Sequence, residues 1–178
     1  MSTKMARSKA KRYRTYKSGK RYAPNIKLIS KEGNTAAGSS DFYAHDDLCL
    51  NPVQDPNTVS QAYTVKNIEC SFNIETSSAQ NIENIVCYIM YVPQGMPVAI
   101  ADYAAQHPEY IMAMRYIGSP EAISSNNGVR NPLKVKTRLA RRLQTGDRVV
   151  LYITGTNAGS SNATINIHGI VRWWTKAN

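Results

Sequence analysis

The chain has 178 residues, with 22 Lys or Arg against 12 Asp or Glu, which gives a formal net charge of +10. Residues 1–31 hold 11 of the 22 basic residues and no acidic residue, so the rest of the chain is nearly neutral. This asymmetry is typical of a polyanion-binding arm on a folded domain. No apolar run is long enough to cross a bilayer and no apolar signal core follows the basic stretch, so we expect neither a membrane-spanning nor a secreted protein.

The basic stretch interleaves cations with tyrosines, as in "KRYRTYKSGKRY". Lys and Arg neutralise phosphates, and a tyrosine ring offers a surface on which an unpaired base stacks. We therefore predict a flexible nucleic-acid-binding arm over residues 1–24 and a single domain over residues 25–178. A mitochondrial presequence is less consistent, because the stretch lacks the Leu and Phe of an apolar helix face. A solvated tail without a partner is the other alternative. The predicted binding residues of the arm are Lys4, Arg7, Lys9, Lys11, Arg12, Tyr13, Arg14, Tyr16, Lys17, Lys20, Arg21 and Tyr22.

After the arm, the sequence predicts short strands separated by polar connections. "NIKLIS" (25–30) begins the first strand, with Ile26, Leu28 and Ile29 available for burial. Residues 33–41, "GNTAAGSSD", are rich in small residues without periodicity and predict a loop. Residues 42–50 predict a short strand that ends before Pro52.

The clearest strand is "QAYTVKNIECSFNIE" (61–75), in which the apolar parity changes near Asn67. A change of face within one strand indicates a bulge or bend. The nearly continuous β-branched and aromatic run over residues 85–92 predicts a central strand that is covered on both faces.

One helix is predicted over residues 98–106, because His107 and Pro108 then end it. Four further strands are expected at 109–118, 133–143, 148–155 and 163–174. About eight strands with turn signals and no long alternating helices favour an all-β fold. We predict an antiparallel eight-stranded jelly-roll sandwich of two four-stranded sheets.

A second basic cluster, "KVKTRLARR", falls in the strand predicted at 133–143. Strand alternation puts Lys134, Lys136 and Arg138 on one face, and Val135, Thr137 and Leu139 on the other. A phosphate-facing strip and an ordinary solvated strand face are both compatible with this pattern. The predicted nucleic-acid-binding residues of the domain are Lys134, Lys136, Arg138, Arg141 and Arg142.

Catalytic or metal chemistry has little support in the sequence. The three histidines stand far apart without a nucleophile motif, and the three cysteines are widely spaced without zinc-ligand pairs. We expect reduced, buried thiols, no catalytic residue, no metal and no cofactor. The pair of acids in "HDD" (45–47) is typical of a turn or cap, although carboxylates are also oxygen ligands for metals.

Trp173 and Trp174 are adjacent and cannot both face the core of a regular strand. We predict that they contribute to a subunit interface, with one ring packed inward and the other against a neighbour, because aromatic side chains often anchor interfaces. A paired-aromatic clamp for a nucleic-acid base is the alternative.

Several segments together resemble the capsid proteins of circovirus-like viruses, which have circular single-stranded DNA genomes. The similarity covers most of the chain after residue 60, in addition to the Tyr-interleaved basic N-terminus. The matching segments are "YIMYVPQG", "HPEYIMAMRYIG", "KTRLARRLQTGDRVVLYI" and "GIVRWWTKAN". The chain is shorter than many circovirus capsid proteins, and its arm is less dominated by Arg.

The resemblance implies a jelly roll, sixty copies of which close into an icosahedral shell around single-stranded DNA, with the arm turned inward. It also implies localisation in the virion, and in the host nucleus during assembly, with the arm as a nuclear localisation signal. RNA as the packaged strand is an alternative. A second hypothesis is a non-viral nucleic-acid-binding protein, of the ribosomal or single-strand-binding type, with a β-barrel body. An enzyme is the least favoured class.

Overall fold

The computed structural model describes residues 22–38, 40–51, 62–76, 82–98, 102–118 and 132–177. These residues form nine strands, one short helix and one 3-10 turn. The strands are β1 (Ala23–Thr35), β2 (Ser40–Leu50), β3 (Tyr63–Thr76), β4 (Ile82–Val92), β5 (Ile111–Gly118), β6 (Leu133–Thr137), β7 (Arg141–Leu143), β8 (Arg148–Asn157) and β9 (Ala163–Ala177). The helix is α1 (Tyr103–Gln106), and the 3-10 turn is Pro108–Tyr110.

The strands form two antiparallel sheets that pack face to face. The five-stranded sheet has the order β1-β9-β3-β6, with β7 also paired to β3, and the four-stranded sheet has the order β2-β8-β4-β5. Because β6 and β7 pair with successive parts of β3, they act as one interrupted strand. The first strand then pairs with the last, the second with the one before it, and so on inward to β4 and β5. This is a rolled-up antiparallel ribbon, so the predicted jelly roll is confirmed.

The main core lies between the two sheets. Alternate side chains of every strand point into it, including Phe72, Ile89, Leu151 and Val171, which are all fully buried. A second apolar cluster covers the outer surface of the four-stranded sheet, where Tyr103 of α1 packs with residues of β4 and β8. β4 is therefore central and covered on both faces, as the sequence predicts.

The bulge predicted in β3 is confirmed. Asn67 has a φ of 50°, and the register between β3 and β9 shifts between Lys66 and Glu69. β7 pairs with β3 before this bulge and β6 pairs after it, so the partner strand is interrupted at the same level. The single strand predicted over residues 133–143 is thus divided, and the Leu139 amide bonds the Thr137 hydroxyl at 3.1 Å within the break.

Three further expectations need correction. The predicted loop at 33–41 is shorter, because Gly33–Thr35 extend β1 and β2 begins at Ser40. The helix predicted over residues 98–106 is shorter, because only Tyr103–Gln106 form α1 among the described residues. Val98 is not helical and is buried in the cluster on the four-stranded sheet, and residues 99–101 lie outside the described residues.

The third correction concerns burial in β1. Ile29 is buried, but Ile26 and Leu28 are 67% and 72% exposed, because alternation turns them to the outer surface of the five-stranded sheet. Similarly, Leu139 is 55% exposed in the β6–β7 turn and does not continue the inward face of β6.

Candidate nucleic-acid interface

The outer surface of the five-stranded sheet collects basic side chains from four strands. Register places Lys136 beside Glu69 and Glu69 beside Arg172, while Lys134 lies beside Ser71. Residues that lie beside one another on adjacent strands form a row across the sheet. In a row nearer the start of β3, Thr64 lies between Arg142 and Lys176. We call the resulting surface the basic face. Its cations are Lys66, Lys134, Lys136, Arg142, Arg172 and Lys176.

The basic face carries little compensating charge. Among the described residues, Glu69 is the one acid within these rows, and Glu32 and Glu75 lie at the opposite end of the sheet. No ion pair involves the six cations within the part of the chain that the structure describes. Uncompensated cations on one surface attract a polyanion and give the association a strong dependence on salt.

The arm joins the domain on this face. The Tyr22 ring lies 3.6 Å from the Lys66 ammonium and 5.9 Å from the Lys176 ammonium, measured from the ring centroid to Nζ. Such cation–π contacts contribute about 0.5–1 kcal/mol at exposed sites. Of the residues predicted for the arm, Tyr22 is described, and the binding residues from Lys4 to Arg21 lie outside the described residues. β1 begins at Ala23, two residues before the predicted boundary of the domain.

The basic cluster predicted at 134–142 is divided between two surfaces. Lys134, Lys136 and Arg142 are exposed on the basic face, and Arg138 is exposed in the β6–β7 turn. Arg141 instead points away from the basic face: its guanidinium lies 5.2 Å from the Tyr91 ring and donates to the Glu109 carbonyl at 3.2 Å. Arg138 therefore leaves the row that sequence alternation suggested, because the chain turns between β6 and β7, and Arg141, which was also predicted to bind nucleic acid, lies on another surface.

Sequence reasoning missed Lys66, Arg172 and Lys176 as members of this surface. Each is an isolated cation along the chain, so no local charge cluster marks it. β3 and β9 pair over most of their length, and this pairing brings the three side chains together. Alternation within β3 and within β9 indicates that these side chains point outward, but only the pairing of the two strands shows that they share one surface.

Trp173 and Trp174 point to opposite sides of β9. Trp173 packs against the main core and, with Leu48 and Tyr63, lines an open cavity of about 610 Å³. Trp174 lies on the basic face, between Pro24 of β1 and Lys66 of β3 in the pairing register. The inward and outward rings match the predicted geometry, and their role at a subunit interface stays a prediction.

The acidic residues of "HDD" are engaged in ion pairs. This segment lies inside β2 and not in a loop. The Lys27 ammonium of β1 lies 3.0 Å from Asp46 Oδ1 and also donates to the Asp47 carbonyl, while Arg148 lies 3.6 Å from the Asp47 carboxylate. The Lys27 contacts join β1 to β2 at one edge of the sandwich, and the Arg148 contact joins β8 to β2. Burial lowers the pKa of the neighbouring His45 from its ordinary value.

The expectation of reduced, buried thiols is confirmed. Cys49, Cys70 and Cys87 are free and buried. Burial raises the pKa of Cys49 to about 12 and raises the pKa of the other two thiols as well. Within the described ranges, no group of three or more His, Cys, Asp or Glu residues is placed to hold a metal ion. In the same ranges, no helix has the length and apolarity to span a membrane.

No protein-family model matches the sequence. No curated protein matches it either. Several solved structures are similar to the chain at low identity. Turnip yellow mosaic virus shares 18% identity, with 89% of this chain and 95% of that chain covered and a TM-score of 0.35.

Two other solved structures have comparable values. Maize chlorotic mottle virus shares 10% identity over 85% of this chain and 92% of that chain, with a TM-score of 0.34. A bacterial lipoprotein from Bacteroides thetaiotaomicron also shares 10% identity, over 85% of this chain and 84% of that chain, with a TM-score of 0.38. These TM-scores are too low for any of the likenesses to assign a function.

Proposed function

We propose that this chain is a viral capsid protein that self-assembles into a shell and packages single-stranded DNA through its basic N-terminal arm. The observation that carries the proposal is the point at which the arm joins the domain. Residues 1–21 hold nine Lys or Arg and directly precede Tyr22, which lies on the basic face of the five-stranded sheet. Arm and face therefore present their positive charge to the same partner.

The fold supports this function without requiring it. Jelly rolls form capsid, lectin and cupin domains, so the fold by itself leaves these classes open. The charge distribution favours the capsid class, because a shell protein needs one surface that attracts the packaged polyanion and other surfaces that contact neighbouring subunits. The segments that resemble circovirus-like capsid proteins support single-stranded DNA, sixty copies in the shell and assembly in the nucleus.

Exposed apolar side chains at opposite edges of the sandwich support self-assembly. Ile26 and Leu28 lie on β1, which is an edge strand of the five-stranded sheet. Met114 and Tyr116, each 62% exposed, lie on β5, at an edge of the four-stranded sheet. The β1 edge adjoins β2 and the β5 edge adjoins β6, so the two patches lie on opposite sides of the molecule. Patches on opposite sides suit head-to-tail contacts, which close into rings.

Particle size and nucleic-acid content test the proposal. The purified full chain should form particles of megadalton size in size-exclusion chromatography and negative-stain microscopy, with an absorbance spectrum that indicates packaged nucleic acid. Deletion of residues 1–21 should leave a folded domain whose particles or oligomers contain little nucleic acid. A stable species near the chain mass of 19.8 kDa would contradict assembly. Unchanged nucleic-acid content after the deletion would contradict the role of the arm.

The alternative, a non-viral nucleic-acid-binding protein with a β-barrel body, fits less well. The described strands form two separate sheets with a core between them and not one closed barrel. The same size-exclusion experiment separates the two hypotheses, because the alternative predicts a monomer that binds nucleic acid without forming particles.

A further inference from the structure

A groove of about 360 Å³ lies in the basic face, between β9 and the β3–β6 pair. Lys134 and Arg172 supply its positive charge, and Ile170 supplies an apolar surface. Ser71, Asn73 and His168 contribute a hydroxyl, an amide and an imidazole. This combination of a few polar groups with an apolar surface is typical of a ligand site.

We propose that this groove holds one nucleotide of a single strand of nucleic acid; the inference rests on the proposed function and names a place on the domain where the strand is held. The phosphate lies at Lys134 and Arg172, because both can donate charge-assisted hydrogen bonds to its oxygens. The base packs on Ile170 and the His168 ring. The edge of the base forms hydrogen bonds with Asn73 and Ser71, because each of these side chains carries both a donor and an acceptor.

Two contacts hold the groove in shape. Arg115 of β5 donates to the Lys134 carbonyl at 2.9 Å, so the edge strand β6 is tied to the other sheet. The Ser30 hydroxyl lies 3.5 Å from His168 Nδ1 and restrains the ring. Glu69, which also lines the groove, lies between Lys136 and Arg172 in the register of the sheet, so a cation flanks its charge on each side.

The groove also continues the surface that the arm reaches. Successive outward rows of a sheet are two residues apart, or about 6.6–6.8 Å. Passing from Tyr22 to the groove, the rows contain Lys176, then Lys66, then Arg172, then Lys134. These cations suit an extended nucleic-acid strand that runs along the basic face from Tyr22 to the groove, where Arg172 and Lys134 hold one phosphate together, because such a strand needs positive charge along its length.

Photo-crosslinking on the full chain tests this inference. The probe is a single-stranded oligo(dT) that carries 4-thiothymidine, and the crosslinked peptides are identified by mass spectrometry. We expect crosslinks both in residues 1–21 and around Asn73 and His168. Ser71→Phe fills the groove at unchanged charge, and should reduce the crosslinks at the groove roughly tenfold while those in the arm persist.

A pair of variants with matched charge provides the second measurement. Arg172→Gln should lower the slope of log K against log salt by about 0.7, the value for one phosphate contact with a single strand. Lys31→Gln removes one charge from the side of β1 that faces away from the basic face, and should leave the slope unchanged.

The outcomes separate the two proposals. If crosslinks occur in the arm but not at the groove, or if Ser71→Phe leaves the groove crosslinks unchanged, the groove inference is wrong and the proposed function stands. Equal slopes for Arg172→Gln and Lys31→Gln would also overturn it. If no crosslinks form anywhere on the chain, both the groove and the proposed packaging function fail.

Discussion

At the scale of single residues, buried polar groups fix the end of the sandwich where β4 and β8 meet. The carboxylate of Asp147, a residue that is 4% exposed, accepts three hydrogen bonds. The donors are the Tyr91 hydroxyl at 2.8 Å, the backbone N–H of Gln94 at 3.1 Å and the backbone N–H of Gln144 at 2.8 Å. One carboxylate therefore closes the turn before β8 and anchors the segment after β4.

Replacement of this carboxylate should be costly. Asp147→Ala leaves three partly buried donors without their acceptor, and we expect a loss of about 2–3 kcal/mol in the free energy of unfolding. Tyr91→Phe, which removes one donor and keeps the carboxylate, should cost about 1 kcal/mol. Urea unfolding of both variants measures the difference. Equal losses for the two variants would contradict the role given to Asp147.

The buried thiols predict a loss of stability at alkaline pH. In the folded protein the pKa of Cys49 is about 12, against an ordinary value of 9.0. The neutral thiol is favoured in the folded state, so this stabilisation is complete below about pH 9 and is lost as the pH rises towards 12. Cys49→Ala removes this contribution. Between about pH 8 and pH 10, the free energy of unfolding of the variant should therefore fall by about 1.4 kcal/mol less than that of the unmodified chain. Identical pH profiles in denaturant titrations would show that Cys49 is not the group concerned.

At the scale of elements, the bulge in β3 organises the five-stranded sheet. It separates the pairing of β7 from the pairing of β6 and shifts the register with β9 by one step. As a result, Lys66 and Glu69 both point outward although they are three residues apart. The basic face therefore depends on a single residue in the left-handed region of backbone conformation, Asn67.

Substitutions at Asn67 should follow backbone preference. Asn67→Gly should be nearly neutral, because glycine adopts a positive φ without steric cost. Asn67→Val should lower the free energy of unfolding by about 1–2 kcal/mol, because a β-branched side chain is strained in the left-handed region. Thermal and urea unfolding provide the measurement, and a stable Val variant would show that the bulge can relax.

For the whole molecule, an apolar margin borders the basic face. Ile26 lies beside Arg172 and Leu28 beside Ile170 in the pairing of β1 with β9, so the exposed side chains of β1 form one edge of this surface, while Met114 and Tyr116 lie on β5 at the opposite edge of the sandwich. A monomer with exposed apolar patches on two edges is prone to associate with copies of itself. This arrangement is what the proposed shell requires.

The apolar edge of β1 should therefore be needed for assembly. Leu28→Asp places a charge on a side chain that is 72% exposed, so it should leave the domain folded but prevent the formation of particles. Asn34→Asp adds the same charge at an exposed position near the other end of β1, keeps the oxygen that accepts from the Thr164 hydroxyl, and should assemble normally. Size-exclusion chromatography distinguishes the two results. Particles of normal size from Leu28→Asp would contradict a role of this edge in assembly.

Much of the fold could be predicted because β-strand patterns are local. The inward alternation of Ile165, Ile167 and Val171 is visible in the sequence, and so is the parity change at Asn67. The end of α1 at Gln106, just before His107 and Pro108, is local as well. Its start was not predictable, because Val98 has an apolar side chain that suits a helix face and a buried extended segment equally well.

The candidate site was less predictable than the fold. The cluster at 134–142 was visible, but a turn directs Arg138 and Arg141 elsewhere, and no local pattern specifies where the strand breaks. The burial expected of Ile26 and Leu28 was wrong because hydrophobicity alone does not state which face of an edge strand has a partner.

The charge asymmetry, the all-β class and the nearly neutral domain behind a basic arm follow from the amino-acid sequence, since composition and alternation are properties of the chain and do not depend on its partners. The basic face could not be read from the sequence in the same way. Strand pairing brings Lys66, Arg172 and Lys176 together with Lys134, Lys136 and Arg142, and Tyr22, the first described residue, lies on the same face. Such pairing in a jelly roll joins residues about a hundred positions apart, and these long-range registers leave no local trace in the sequence.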